Sequence, residues 1–456
     1  MRRGARVAWI GLAAIVVPLM AVAVGRWLWA LFAHVPILYG EGAVAHAALL
    51  ARDRLEYVTP AAGDQTLFVA ANYPPLYFHL ASVGDPFVTG RILSIAATVA
   101  VALAIAMRAR PAGLLAATAI AASWIASAPV AIWGAAIKPD LVALAFTVGA
   151  VVTVGRRPLL AGALIALAVW AKPTAGLPAL ALAAYLVAQD RGALPRYLGG
   201  ALASIAAAAV LTVIPDSGML EHVVTWNALP WHPEQVLLIS VLGLVVAGAV
   251  VLVSATGGAL RGPLAAYAVA ALGVVVFGGR EGATINYLLD LTTVAWLGVA
   301  GIAPRLATGI AFPITLAAQT LFAIALLDPL GVLPGRAITT GAWAPPARID
   351  VVRAIPGRLL VEDAGLLVVD GRAAAVDDIF LWSRLESRGD FALGDRLLVA
   401  ARDGAFDAIV SETDLDHIAT APTYEQQRWD TALVTAVLSR YRLDREAGGL
   451  FIYARR

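Results

Sequence analysis

Two carboxylates and a set of cations are the groups in this chain whose types and spacing could do chemistry. Glu41 stands in Tyr39-Gly40-Glu41-Gly42, and Asp140 closes Lys138-Pro139-Asp140. Around them in sequence are Tyr73 in Asn72-Tyr73-Pro74-Pro75-Leu76-Tyr77, Arg91 after Gly90, Lys172 before Pro173, and His222. Arg280-Glu281 and Asn286 follow. A carboxylate can accept the proton of a hydroxyl nucleophile. Cations placed near it can stabilise a departing phosphate. Together these are the needs of group transfer from a phosphate-linked donor.

Each residue also has a plainer reading. Glu41 is either a general base or a first-turn glutamate of the helix expected over Gly42 to Leu55, gaining ~0.3–1 kcal/mol from the helix dipole. Tyr73-Pro74-Pro75 is a rigid extended turn, because each proline fixes φ and restricts its predecessor. It either presents Tyr73 to a ligand or only turns the chain back. Arg91 either grips a phosphate with its planar fork or snorkels to a surface. Asp140 suits a helix N-cap. Lys172 either faces inward and holds an anion or marks an interface. Arg280 and Glu281 could be a surface ion pair of little energetic consequence. His222 and His232 lack metal-ligand spacing, and no metal site is expected.

The elements that must position these residues are apolar. Of the 456 residues 60% are hydrophobic and 14% charged, with a mean hydropathy of +0.81, against about 25% charged in a soluble domain. Runs near the roughly 20 residues that cross a bilayer recur about eleven times. They are Val7–Leu31, Phe87–Met107, Gly113–Trp133, Leu141–Val154, Leu159–Ala171, Ala175–Ala188, Tyr197–Ile214, Val236–Val253, Leu264–Phe277, Ile285–Ile302 and Leu306–Leu327. Arg2, Arg3, Arg6, Arg108, Arg110, Arg156, Arg157, Arg191, Arg196, Arg261 and Arg305 sort to one side if eleven spans alternate. That side is cytoplasmic by the positive-inside rule. Glu41, Lys138, Asp140, Lys172, His222, Arg280 and Glu281 then share the outer side, with the tail. The first apolar run is too long for a signal-peptide core and is expected to be retained.

From Trp343 the pattern changes. Of the 31 acidic residues, 13 precede Trp343 and 18 follow it, so the tail meets water. Arg358–Val361, Leu366–Val369, Ala408–Val410 and Leu450–Tyr453 read as short strands. Asp378–Arg388, Asp395–Arg402 and Tyr424–Tyr441 read as helices. The expected architecture is a mainly α, polytopic membrane protein of about eleven transmembrane helices with an amphipathic first external loop (32–90), plus a small C-terminal soluble α/β domain. The boundary falls between residues 330 and 331. There is no cysteine, which excludes disulfides and thiolate chemistry. Neither a P-loop nor a dinucleotide fingerprint is present. No cofactor and no nucleic-acid partner is expected.

The order Tyr39-Gly40-Glu41-Gly42, Asn72 to Tyr77, Gly90-Arg91-Ile92-Leu93-Ser94, Lys138-Pro139-Asp140, Ala171-Lys172-Pro173-Thr174-Ala175 and Gly282 to Asp290 resembles the C-type (GT-C) integral-membrane glycosyltransferases. These include the protein O-mannosyltransferases and the aminoarabinose transferases. The resemblance covers residues 1 to about 330. It implies a polyprenyl-phosphate-linked sugar as donor, a glycan, lipid or protein acceptor, inversion at the anomeric carbon, and a site on the outer face of a bacterial cytoplasmic membrane. It places the base at Glu41 in the first external loop and matches Asp140 to the second-loop acid. Lys172 and Arg91 take positions suited to the lipid phosphate. One departure is plain: Gly40 stands where the family's acidic pair has its first acid. The competing readings are a transporter or flippase, which would place polar groups at mid-membrane in related halves, and a non-catalytic envelope-assembly protein that kept the fold.

Overall fold

The computed structural model describes residues 3–61, 64–212, 218–327, 345–389, 391 and 393–456. The expected boundary at 330/331 and residues 215–217 of the second polar loop lie outside them. The chain divides into two compact units. One holds Met1–Trp29, Arg91–Thr212 and Pro230–Gly341; the other holds Ala30–Gly90, Val213–Leu229 and Ala342–Arg456.

The first unit is helical. Its elements are α1 (Arg3–Ala33), α4 (Pro86–Ala109), α5 (Leu114–Ile125), α6 (Ala128–Trp133), α7 (Asp140–Thr153), α8 (Pro158–Ala171), α9 (Gly176–Gln189), α10 (Leu194–Thr212), α11 (Pro233–Thr256), α12 (Pro263–Phe277), α13 (Leu289–Leu306) and α14 (Ala311–Leu327). Residues 213–214 of Tyr197–Ile214 lie outside the described residues, Ile285–Ile302 begins in a 3-10 turn ahead of α13, and otherwise each expected span centres on a single helix. The exception is Gly113–Trp133, which is broken into α5 and α6 where Ser127 turns extended (ψ 141°) ahead of Pro129. Proline disfavours helix in the residue before it and suits a first helical turn. Five helical segments are long and apolar enough to cross a membrane: Arg3–Ala33, Pro86–Ala112, Leu194–Thr212, Pro233–Thr256 and Ile285–Leu306. The others run from 6 to 17 residues. The protein is a multi-pass membrane protein.

Burial separates the centre of this unit from its rim. The most apolar stretch of Ile285–Leu306 is 78% buried, whereas those of the other four are 17–33% buried. So α13 runs through protein, and the outer helices turn leucines such as Leu103, Leu211 and Leu244 outward. Such a surface is stable only against lipid. Between helices the contacts are small residues and satisfied polar groups, as expected where hydrophobicity cannot drive association. A Cβ on Gly162 or Gly200 would fall on the backbone of α10 or α8 respectively. Trp296 donates to Ser123 Oγ (2.7 Å), and Trp124 donates to Thr293 Oγ1 (3.2 Å), joining α5 to α13 twice.

The second unit joins the first polar loop to the tail. Helices α2 (Glu41–Leu50) and α3 (Pro75–Ala81) come from the loop. The tail contributes a sheet of β1 (Leu359–Val361), β2 (Ala408–Ser411), β3 (Tyr441–Ala447) and β4 (Leu450–Arg455), in the order β1-β2-β4-β3. β1 and β2 are parallel, with Leu360 opposite Ile409, and the other pairs are antiparallel. Gly448 and Gly449, at φ 62° and 70°, make the β3–β4 hairpin, the left-handed pair that a two-residue hairpin turn demands. Leu67 and Phe68 of the first polar loop and Trp226 of the second polar loop pack with Ile379, Trp382, Phe406 and Trp429 of the tail. Leu67 N–H donates to Ala375 O (2.7 Å).

Several local expectations are corrected. Leu366–Val369 is not a strand; Gly365–Val368 forms a short helix, all of it buried. A short apolar run on its own does not separate the two. The single helix expected over Tyr424–Tyr441 is two, Thr423–Arg428 and Thr431–Arg440, because Asp430 starts a new one by accepting from Ala432 N–H (2.8 Å). The strand β3 was hidden by its charge: five of its seven residues are exposed. The loop helix is not amphipathic either. Glu41 through Ala48 are buried around the whole circumference of α2.

Candidate functional site

In the helical unit, three of the expected residues come together. Asp140 is the first residue of α7, placed by the tight Lys138-Pro139 turn. Lys172 follows the end of α8, where Pro173 stops the helix and turns the chain into a 3-10 segment, Pro173–Ala175. Asn286 lies in another 3-10 turn, Ile285–Leu288, that leads into α13. Lys172 Nζ is 2.5 Å and Asn286 Nδ2 2.8 Å from Asp140 Oδ1. The Lys172 ammonium also lies 5.1 Å from the Tyr287 ring centroid. Asp140 and Lys172 are 3% and 9% exposed. The other carboxylate oxygen, Asp140 Oδ2, is buried without a hydrogen-bond partner among the described residues. A small polar cavity is lined by Asp140, Lys172, Thr174, Asn286 and Asp290. The arrangement can do one thing well. It holds a cation and an amide donor next to a cavity, with an acceptor oxygen to spare.

The remaining expected residues of this unit form its surroundings. Arg280 donates to Tyr287 Oη (3.2 Å). Glu281 Oε1 is 3.1 Å from His232 Nε2. Arg280 and Glu281 thus each reach a neighbour from another part of the chain or turn, Tyr287 and His232. Arg91 lies in α4 with no solvent exposure at all, so it does not snorkel. Lys138 is half-buried in the turn that starts α7.

In the second unit, Glu41 opens α2 and is completely buried. Its Oε2 accepts from Ile37 N–H (2.6 Å). Gly40 precedes it in the left-handed region at φ 75°, a conformation that costs an L residue roughly 1–2 kcal/mol. Tyr73 is half-buried; its carbonyl accepts from Tyr57 Oη (2.7 Å) and its ring meets Phe78. His222 is packed rather than presented. Its ring lies 3.8 Å from the Trp226 ring, its Nδ1 meets Ala70 O at 3.2 Å, and burial pushes its pKa down to about 4. It is neutral at pH 7.

The tail adds acids that sequence reasoning missed. Asp363 is buried, and that burial, with the negative charges of Glu412 and Glu41, raises its carboxyl to about 7, against the pull of the Gly365 N–H and Arg428. Glu362 is held by Arg428, Ser411, Trp429 and Glu412 N–H. Asp377 accepts from Ala70 N–H (2.8 Å) and meets His46 Nδ1 (3.1 Å). Asp378 accepts from Tyr39 Oη (3.2 Å) and from Leu381 N–H. The Arg428 guanidinium lies 4.1 Å from the Tyr39 ring centroid. The signal available in sequence was two adjacent acid pairs, Glu362-Asp363 and Asp377-Asp378, next to apolar runs. In a water-facing tail such pairs read as solvated. Among the described residues no three His, Asp or Glu side chains stand together as a metal-ligand set.

No protein-family model matches the chain, and no curated protein matches it in sequence. Solved structures do. ArnT from Cupriavidus metallidurans in the apo state superposes with a TM-score of 0.55 at 13% identity, covering 97% of this chain and 98% of ArnT. The same protein bound to undecaprenyl phosphate gives 0.56 at 14% over the same coverage. The Archaeoglobus fulgidus oligosaccharyltransferase gives 0.45 at 13%, over 98% of this chain and 74% of that one. Over 97% of its length the chain carries the fold of ArnT, the fold of the GT-C glycosyltransferases.

Proposed function

We propose that the protein transfers a sugar from a polyprenyl-phosphate donor to an acceptor hydroxyl, with inversion, on the outer face of a bacterial cytoplasmic membrane. The eleven apolar helical runs would then cross the bilayer with the N-terminus inside and the tail outside. The observation that carries the reading is the buried Lys172–Asp140–Asn286 group beside its cavity, in a chain with the fold of a protein whose structure holds undecaprenyl phosphate. A charged group at the ends of apolar helices is costly and marks a site by default.

In the proposed reaction the acceptor oxygen attacks the anomeric carbon from the side opposite the phosphate. Its O–H proton passes to the Glu41 carboxylate. The bond from the anomeric carbon to the phosphate oxygen breaks, and its electron pair leaves with the phosphate. Lys172 stabilises that charge, helped by Arg91 and Arg280, as preorganised cations do best in a water-poor site. Asp140 holds Lys172 and Asn286 in place and offers Oδ2 to a sugar or acceptor hydroxyl. Lys138, Tyr73 and Glu281 complete the set of residues proposed to line the substrates; His222, packed against Trp226, is proposed to support its loop rather than to touch them.

The test is mass spectrometry of envelope glycans and lipids from a deletion strain. One missing sugar and accumulation of a polyprenyl-phosphate sugar are expected, both restored by the wild-type gene and not by Glu41→Gln. Unchanged glycans would sink the reading. Solute uptake by proteoliposomes without consumption of lipid-linked sugar would replace it with transport.

A further inference from the structure

On the helical unit, α1 and α14 leave an open apolar groove of about 860 Å³ between them. Small residues shape it: Gly4, Ala8 and Gly11 on α1, and Ala317 and Ala318 on α14. Beside it the two helices are joined, with Trp9 and Phe312 meeting edge to face at 5.6 Å and Trp9 Nε1–H donating to Ala307 O (3.2 Å). Arg3 lines one end and is exposed. Arg6, also exposed, stands one turn further along α1.

The glycines of this groove differ from those that join helices. A Cβ on Gly162 or Gly200 would fall on a neighbouring backbone. A Cβ on Gly11 would meet no heavy atom within 4 Å, and one on Gly4 only Ile310 at 3.7 Å. Glycine is among the poorest helix formers, and among the described residues no close approach calls for it here. The room it leaves is room for something from outside the chain.

We propose that the groove holds one acyl chain of a phospholipid with an anionic headgroup, and that Arg3 takes the headgroup phosphate. Length, width and charge argue for that occupant. Along α1 the groove runs from Arg3 to Ile15, twelve steps of about 1.5 Å or about 18 Å in all. The hydrocarbon core of a bilayer is about 30 Å thick, so the groove spans one leaflet and ends at its polar edge, where Arg3 stands. A helix of that length and about 10 Å across would occupy roughly 1,400 Å³, more than the groove holds. A single hydrocarbon chain is thin and flexible enough to follow it. In lipid no hydrophobic force drives association, and packing decides. An unfilled groove forfeits dispersion contacts along both walls, and a seated chain restores them. A basic residue at the membrane surface then selects the anionic headgroup. The inference does not depend on the sugar-transfer reading.

The experiment uses the full chain, purified in a mild detergent and examined by native mass spectrometry. Phosphatidylglycerol and phosphatidylcholine are then added in competition, and unfolding temperatures are measured with each and with neither. Wild type is expected to retain one phospholipid, and phosphatidylglycerol to raise its unfolding temperature more than phosphatidylcholine does, since a ligand of the native state stabilises it. Gly11→Leu places its side chain in open space. Without added lipid it should unfold as wild type does, but the retained phospholipid and the gain from phosphatidylglycerol should both be lost. Ala318→Leu fills the groove from the α14 side and decides the matter if Gly11→Leu unfolds early by itself. Arg3→Gln should still hold a phospholipid, with its preference for phosphatidylglycerol reduced about fivefold. Wild type that retains no phospholipid overturns the proposal, as do filled-groove variants that retain it undiminished. A polyprenyl phosphate as the retained lipid also overturns it, and so does a dimer that the filled-groove variants dissociate, which would make the groove a contact between copies.

Discussion

Lys172 Nζ lies 2.5 Å from Asp140 Oδ1, and the two side chains are only 11% and 1% exposed. A buried pair of this kind is strongly destabilising to break from one side, by about 3–5 kcal/mol, because it strands the other charge. Lys172→Met is therefore expected to lower thermal stability sharply. Lys172→Met combined with Asp140→Asn should recover much of that loss, since no lone charge is left. A double-mutant cycle on unfolding temperature checks this, and additive losses would show that the pair is not coupled. In the transfer assay the same double variant should stay inactive.

Arginine is not a substitute at this position. The Lys172 ammonium is a compact charge that serves Asp140 and lies over the Tyr287 ring, and guanidinium is a larger, planar group. Lys172→Arg is expected to fold better than Lys172→Met while losing most of the transfer rate. Wild-type kcat in Lys172→Arg would show that position 172 needs only a positive charge.

How far the sequence foretold this arrangement varies by region. The apolar helices were legible because apolar runs bounded by Arg, Pro and Gly leave little choice of structure. Lys172 and Asp140 were legible as charged groups at helix ends, where charge needs a reason. Their pairing was not, because nothing in linear spacing brings residue 140 to residue 172. The tail was harder. Its acids Asp363 and Asp377 carry the same letters as solvated surface acids, and only the packing of α2 on the tail shows them buried. The Leu366–Val369 run was ambiguous between strand and helix, and β3 was concealed by its own charged edge.

Gly42 gives a test of that packing. A methyl group at this position has nowhere to go, because it would meet backbone and not a flexible side chain. Overpacking of this kind costs typically about 1–3 kcal/mol. Gly42→Ala is expected to lower the melting temperature and to reduce transfer through displacement of Glu41. An unchanged melting curve would mean that α2 and the Ala364–Gly365 turn are not in contact in the folded protein.

Two buried groups of this second unit predict opposite responses to pH. His222 has its pKa lowered to about 4 by burial, whereas an unfolded histidine titrates near 6.5. The unfolded state therefore binds the proton first. His222 costs nothing above pH 6.5 and destabilises the fold as pH falls from there toward 4. Asp363 is raised from 3.8 to about 7, so here the folded state binds the proton more tightly. Its contribution grows as pH falls from 7 toward 4 and is lost as pH rises through 7. Asp363→Asn should flatten the decline of stability between pH 5 and 8, and His222→Phe, which keeps a ring against Trp226, should flatten the acid side. Unfolding temperatures of the three proteins across that range, measured in the same detergent, check both signs. A decline between pH 4 and 7 as steep in Asp363→Asn as in wild type would contradict the placement of that carboxyl.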